Sequence, residues 1–131
     1  MNKGEYRNLF FFSLAVICSR IPFVFNGYGS EEDAWALALV AERIGTTGIY
    51  EVSRLPGHPL QELIYAAIYA YGAVFFNLLT VMISTLGILS FVAMLQQFEI
   101  KNAYWSGGAL AFTPIIYINS TNAMDYTWAM A

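Results

Sequence analysis

The chain has 131 residues, of which 58% are hydrophobic, 17% aromatic and only 11% charged, with a formal net charge of −3 and a mean hydropathy of +0.53. A soluble domain carries roughly 25% charged residues, and a small domain exposes proportionately more surface than a large one, so this composition excludes a soluble enzyme or binding module. Six Lys and Arg against nine Asp and Glu leave no basic stripe for nucleic acid, and the chain reads as an all-α polytopic membrane protein.

Residues 9–25 form the first apolar stretch. Lys3 and Arg7 precede it, as in a signal peptide, but Arg20, Pro22 and the bulky Phe23-Val24-Phe25 stand where cleavage needs small residues. The stretch is therefore expected to be a retained first span. As a helix it rises roughly 25 Å, a little short of an apolar core about 30 Å thick, and Arg20 can reach the far interface. Cys18, the single cysteine, has no partner for a disulfide or a thiol metal site and is expected to be buried. His58, the single histidine, excludes a multi-histidine metal site.

Residues 26–59 contain no apolar run of membrane length. Glu31, Glu32, Asp33, Glu42 and Glu51 stand against Arg43 and Arg54. Ser30 is a candidate N-cap with Asp33 three residues on, and acids in the first turn suit the helix dipole, so a short helix is expected over 31–44. Trp35 is its candidate interfacial anchor, and Gly45 and Gly48 loosen or stop it. In residues 50–59, Pro56 and Pro59 favour extended backbone before them and Pro56-Gly57 signals a turn. The segment reads as an ordered connector that feeds a helix with proline in its first turn.

Residues 60–95 are almost continuously apolar. One rod of that length, about 54 Å, is too long for a span, and no polar turn divides it into two. A partly embedded juxtamembrane helix over 61–71, a bend near Gly72 and a second span over 75–95 are expected. A polar loop follows at 96–103. A third span is expected over 104–118, with Gly107-Gly108 and Pro114 as weak points. After a polar break at 119–122, residues 123–131 read as the start of a further helix.

Lys3 and Arg7 place the N-terminus in the cytoplasm under the positive-inside rule, and Lys101 falls on the same side. The acidic segment 26–59 and Asp125 then share the extracytoplasmic side. A carboxylate among Glu31, Glu32 and Asp33 suits general-base work or a divalent cation with oxygen ligands; the same acids also serve simply to start a helix. Arg20, an ionisable residue in a span, either snorkels, pairs with Glu32 or Asp33, or binds a lipid phosphate. Arg54 and His58 are candidate hydrogen-bond donors to a phosphate and equally ordinary loop residues. Asp125 is either a helix-opening charge or part of the same outer site.

Glu31-Glu32-Asp33-Ala34-Trp35 after a first span, and Ser53-Arg-Leu-Pro-Gly-His-Pro-Leu-Gln-Glu62 before the next apolar run, resemble the N-terminal part of the polyprenyl-phosphate-dependent glycosyltransferases of the GT-C superfamily. The similarity is greatest to the branch holding protein O-mannosyltransferases and the lipid A aminoarabinose transferase. Arg20 ahead of the loop fits the pattern, and Met124-Asp125-Tyr126 falls where that family has a second acidic residue. The resemblance implies a GT-C-like fold in a cell inner membrane. It implies transfer of a glycosyl group, with inversion, from a polyprenyl-phosphate-linked donor to an acceptor at the extracytoplasmic face. Asp33, Glu32 and Asp125 would be the catalytic carboxylates, and Arg20, Arg54 and His58 would meet the donor phosphate. Some members use a divalent cation and others do not. Members have several hundred residues and many more spans, which implies that these residues are the first part of a longer transferase, inactive alone and partnered by its remainder. Two other readings compete: a small structural or accessory membrane protein, which predicts no role for these acids, and a piece of a transporter, which would place its charges nearer mid-membrane.

Overall fold

The computed structural model describes residues 3–124 and 126–131. Asp125, one of the expected acidic residues, lies outside the described residues. Six α-helices follow in order: α1 (Lys3–Arg20), α2 (Glu32–Thr47), α3 (Pro59–Ile68), α4 (Ala73–Gln97), α5 (Ala103–Ala111) and α6 (Pro114–Asn119). Three short 3-10 turns, Ile21–Phe23, Tyr69–Tyr71 and Trp128–Met130, complete the regular structure of the described residues.

Helix α1 gives way to a tighter turn where Pro22 disfavours helical backbone before it. Its outer face carries Tyr6, Phe10 and Leu14, each four apart, with Phe11 beside them, all exposed. Cys18 is exposed on the same helix, contrary to the expected burial. Its apolar run covers the outside of the bundle as well as the inside.

Helix α2 begins one residue later than expected, and Ser30 is not its cap. Glu31 occupies that position with extended backbone and no side-chain cap bond. Glu32 and Asp33 in the first turn supply favourable charge in its place. The helix runs on to Thr47 because Gly45 is tolerated in its last turn; a Cβ there would meet the Tyr69 ring, so the glycine admits close packing of α2 on the α3 end. Ala34, Leu37, Ala38, Ala41 and Ile44 form the buried stripe.

Pro59 opens α3 at the position where its missing N–H costs nothing. The chain then turns at Gly72, whose φ of 76° is open to glycine at little cost, and enters α4 directly. Among the described residues α4 is the one helix long and apolar enough to cross a membrane, with a mean hydropathy of 2.3 in its most apolar stretch. Its polar residues Asn77, Thr80, Ser84 and Thr85 are buried, whereas Phe75, Met82, Leu86 and Met94 are exposed.

Helices α1 and α4 pack antiparallel. Val16 shares a core with Ile88, and the Asn77 side-chain amide donates to the Val24 and Gly27 carbonyls at 3.0 and 2.7 Å. Helix α5 runs alongside α1: the Phe12 and Tyr104 rings meet edge to face, and Ala111 joins the Val16–Ile88 cluster. The expected third span over 104–118 is two helices, broken at Phe112-Thr113 before Pro114, because proline cannot continue a helix ladder. The expected start of a helix over 123–131 is one 3-10 turn at Trp128–Met130 among the described residues. It packs back on α4, with Met130 beside Gly87.

Arg20 is completely buried where α1, α5 and α6 meet. Its Nε donates to Ser120 Oγ (2.6 Å), one Nη to the Ala111 carbonyl (2.7 Å), and the other to the Val16 carbonyl and Ser19 Oγ (3.0 Å each). The guanidinium also lies 4.9 Å from the Tyr117 ring centre. The expected pairing with Glu32 or Asp33 is absent among the described residues. The fork instead satisfies carbonyl and hydroxyl oxygens at three helix ends, a task suited to its fixed geometry.

Candidate active site

The carboxylate and the arginine that the sequence separates by twenty-one positions meet at one end of the bundle. Arg54 Nη1 donates to Asp33 Oδ2 at 2.6 Å, with both side chains about one-third exposed. Asp33 is held by the first turn of α2, and Arg54 by the connector that returns from α2 to α3. Ser53, His58, Gln61 and Ala123 line the same pocket. The Leu55–Pro56 peptide in this connector is cis.

Glu62 explains why the connector returns to this place. Its carboxylate is fully buried and accepts hydrogen bonds from Tyr50 Oη (2.5 Å), the Ser53 backbone N–H (2.8 Å) and Ser53 Oγ (2.7 Å). Burial pushes the Glu62 carboxyl up, but these hydrogen bonds outweigh it and hold the group below the usual carboxylate range. The Tyr50 phenol, donating to Glu62, is pushed up to about 12. Clamping residues 50 and 53 to α3 sets the neighbouring Arg54 over Asp33. The exposed Arg43–Glu51 pair, 3.2 Å apart, adds little.

A second cavity of about 410 Å³ adjoins the first and is largely apolar, with Gly57, Pro59, Leu60, Tyr126 and Trp128 on its walls. His58 and Gln61 line both. Arg54 lies 5.9 Å from the Tyr126 ring centre, so residues 31–33 and the end of the described chain meet at one end of the bundle.

Of the expected site residues, Asp33, Arg54 and His58 come together. Glu32 is exposed and lines no part of the pocket. Arg20 lies in the helix junction described above, away from the pocket. Asp125 lies outside the described residues, although Ala123 and Tyr126 on either side of it border the two cavities. Among the described residues no three His, Cys, Asp or Glu side chains gather to hold a metal ion, and a cation at Asp33 would compete with Arg54 for the same oxygen.

Sequence reasoning passed over Glu62, Ser53 and Gln61. Glu62 carried a signal: an acid opening a long apolar run has to find donors if it is buried. The chain matches no family model, no curated protein and no solved structure.

Proposed function

We propose that this chain forms the extracytoplasmic donor end of a polyprenyl-phosphate-dependent glycosyltransferase of GT-C type, set in a cell inner membrane with its N-terminus cytoplasmic. The observation that carries this reading is the Asp33–Arg54 pair at 2.6 Å, beside His58 and an apolar cavity. A general base, a phosphate-binding cation and room for a lipid chain then lie side by side.

The membrane setting draws support from α4, whose exposed large side chains Phe75, Met82, Leu86 and Met94 are apolar and whose polar residues Asn77, Thr80, Ser84 and Thr85 turn inward. In water that arrangement would waste apolar area, whereas in lipid it places polar groups where they find partners. Helices α2 and α3 sit at the end of the bundle formed by the α1 C-terminus and the α4 N-terminus, the end that lies outside in this reading, in keeping with Lys3, Arg7 and Lys101 on the opposite side.

In this reading the donor phosphate draws Arg54 away from Asp33, with His58 as a second donor. The freed Asp33 carboxylate takes the proton from an acceptor hydroxyl. The acceptor oxygen attacks the anomeric carbon from the face opposite the phosphate, the carbon–oxygen bond to phosphate breaks, and its electron pair leaves with the polyprenyl phosphate. Arg54 balances the charge gained there. Arg20 has a structural task in this account, and Glu32 assists only through the α2 dipole.

The test is transfer of labelled sugar from a polyprenyl-phosphate donor by the complete protein in membranes. Asp33→Asn should lower the rate by about 10²–10⁴-fold, the usual contribution of a general base, and Glu32→Gln should leave it within a few fold. Full activity of Asp33→Asn, or loss confined to Glu32→Gln, contradicts the assignment.

A further inference from the structure

The face of α2 turned away from Asp33 carries Trp35, Ala38, Leu39 and Glu42, at the three-, four- and seven-residue spacings that line up on one side of a helix. With Tyr28 from the loop before α2 and Tyr69 from the turn after α3, they line a cavity of about 330 Å³ that shares no lining residue with the Asp33–Arg54 pocket. Packing holds the three rings in place. Tyr28 lies 5.0 Å from Trp35 and 5.6 Å from Phe76 between ring centres. Trp35 Nε1 donates to the Gly29 carbonyl at 3.0 Å, and Tyr69 lies against Gly45, where a Cβ would meet its ring. Glu42 is the one charged residue on the wall. Its carboxylate is exposed and has no ion pair or hydrogen bond among the described residues, and the neighbouring Arg43 is engaged with Glu51. Burial, and then the Glu42 charge, raise the Tyr28 phenol above its ordinary value, so the carboxylate is felt at the rings.

We propose that this cavity binds a quaternary ammonium head, held against the rings of Tyr28, Trp35 and Tyr69 and balanced by Glu42. Aromatic rings attract a cation through their quadrupole, and most strongly one that gives up its water easily. A primary ammonium brings three N–H donors and finds one carboxylate among carbon-lined walls, so it loses more hydration than it recovers. An anion is repelled by Glu42, and an uncharged ligand of the same shape gains the apolar contact but leaves that carboxylate unmatched. The inference stands apart from the transferase reading, because the cavity is on the other side of α2 and supplies no group to that chemistry. Free choline and the head of a phosphocholine lipid carry the same cation, and Trp35 and Leu39, each about half exposed, leave the mouth open to either.

The experiment measures binding of tritiated choline to the full chain in maltoside detergent, with ethanolamine and 3,3-dimethylbutan-1-ol, the uncharged isostere of choline, as competitors. Choline should bind at least tenfold more tightly than either. Trp35→Leu keeps an apolar side chain and removes the ring, and it should weaken choline binding by about tenfold, whereas Trp35→Phe should recover most of the loss. Glu42→Gln should weaken it by about threefold or more and leave binding of the uncharged isostere unchanged. Glu42 is exposed and outside the core, so this variant decides the matter if Trp35→Leu lowers the thermal midpoint. Dihexanoylphosphatidylcholine distinguishes the two sources. Displacement of choline at or below the concentration of free choline that achieves it assigns the head to a lipid, and a need for more assigns a free cation. Absence of choline binding overturns the inference, as does wild-type affinity in Glu42→Gln. Ethanolamine or the uncharged isostere binding as tightly as choline overturns it too.

Discussion

Glu62 is the residue on which the geometry of the site turns. A buried carboxylate survives here because donors from Tyr50, Ser53 and the His58 backbone converge on it, and those donors belong to the segment that carries Arg54. Glu62→Gln would keep the shape but replace one acceptor oxygen by a donor facing other donors. Loss of about 1–3 kcal/mol is expected from thermal or denaturant unfolding in detergent. The pH dependence follows in sign. A carboxyl depressed in the fold stabilises it above the unfolded value, near 4.3, and that contribution disappears as pH falls through the lower folded value. Tyr50, raised to about 12, works the other way: its contribution is complete below about 10 and is lost as pH rises through the folded value. Near-UV absorbance of wild type minus Tyr50→Phe should therefore reveal one phenol that ionises only near pH 12. Ionisation of that phenol near pH 10 would contradict the clamp. Arg20 is a contrasting case. Arg20→Lys preserves the charge but loses the fork that reaches Ser120 and the Ala111 carbonyl together, so a lowered thermal midpoint with sugar transfer per folded molecule retained is expected. A selective loss of transfer at an unchanged midpoint would return Arg20 to the donor site.

Among the elements, those governed by local chemistry were readable in advance. Gly72 marks the turn between α3 and α4 because only a residue without Cβ takes its backbone angle cheaply, and Pro114 marks the break between α5 and α6 because it cannot donate. The Ser30 cap failed as a reading because Ser-x-x-Asp is only a relative of the capping pattern, and a dipole-favoured acid served as well. The Arg20 junction was hidden for another reason: its partners Ala111 and Ser120 lie about a hundred residues away in sequence. The Glu62 clamp was hidden because it needs the connector to fold back over α3. Of the site, the residue types at Asp33, Arg54 and His58 were legible, and their contacts were not. Packing between α4 and α5 depends on Gly107, where a Cβ would lie 2.3 Å from the Val92 side chain. Gly107→Ala should cost about 1–3 kcal/mol through overpacking, measured as a lowered thermal midpoint. No change would mean that the two helices separate freely.

For the whole molecule, the telling property with which the chain began is its scarcity of charge. The fold gives that scarcity a distribution. Large apolar side chains stand exposed along α1 and α4, among them Phe10, Phe11, Leu14, Met82 and Leu86, and charged groups such as Asp33, Arg54 and Glu62 collect at the end where α2 and α3 lie. Under the proposed function that end lies outside the membrane, next to lipid-linked donors, and the loop between α4 and α5 lies in the cytoplasm. The most direct test is labelling of intact cells with a membrane-impermeant thiol reagent, in a Cys18→Ala background because Cys18 is itself exposed. A cysteine at Thr47, at the end of α2, should be labelled from outside, and one at Asn102, between α4 and α5, should be labelled only after the membrane is permeabilised. Labelling of Asn102→Cys and protection of Thr47→Cys in intact cells would put the Asp33–Arg54 pocket on the wrong side and contradict the account.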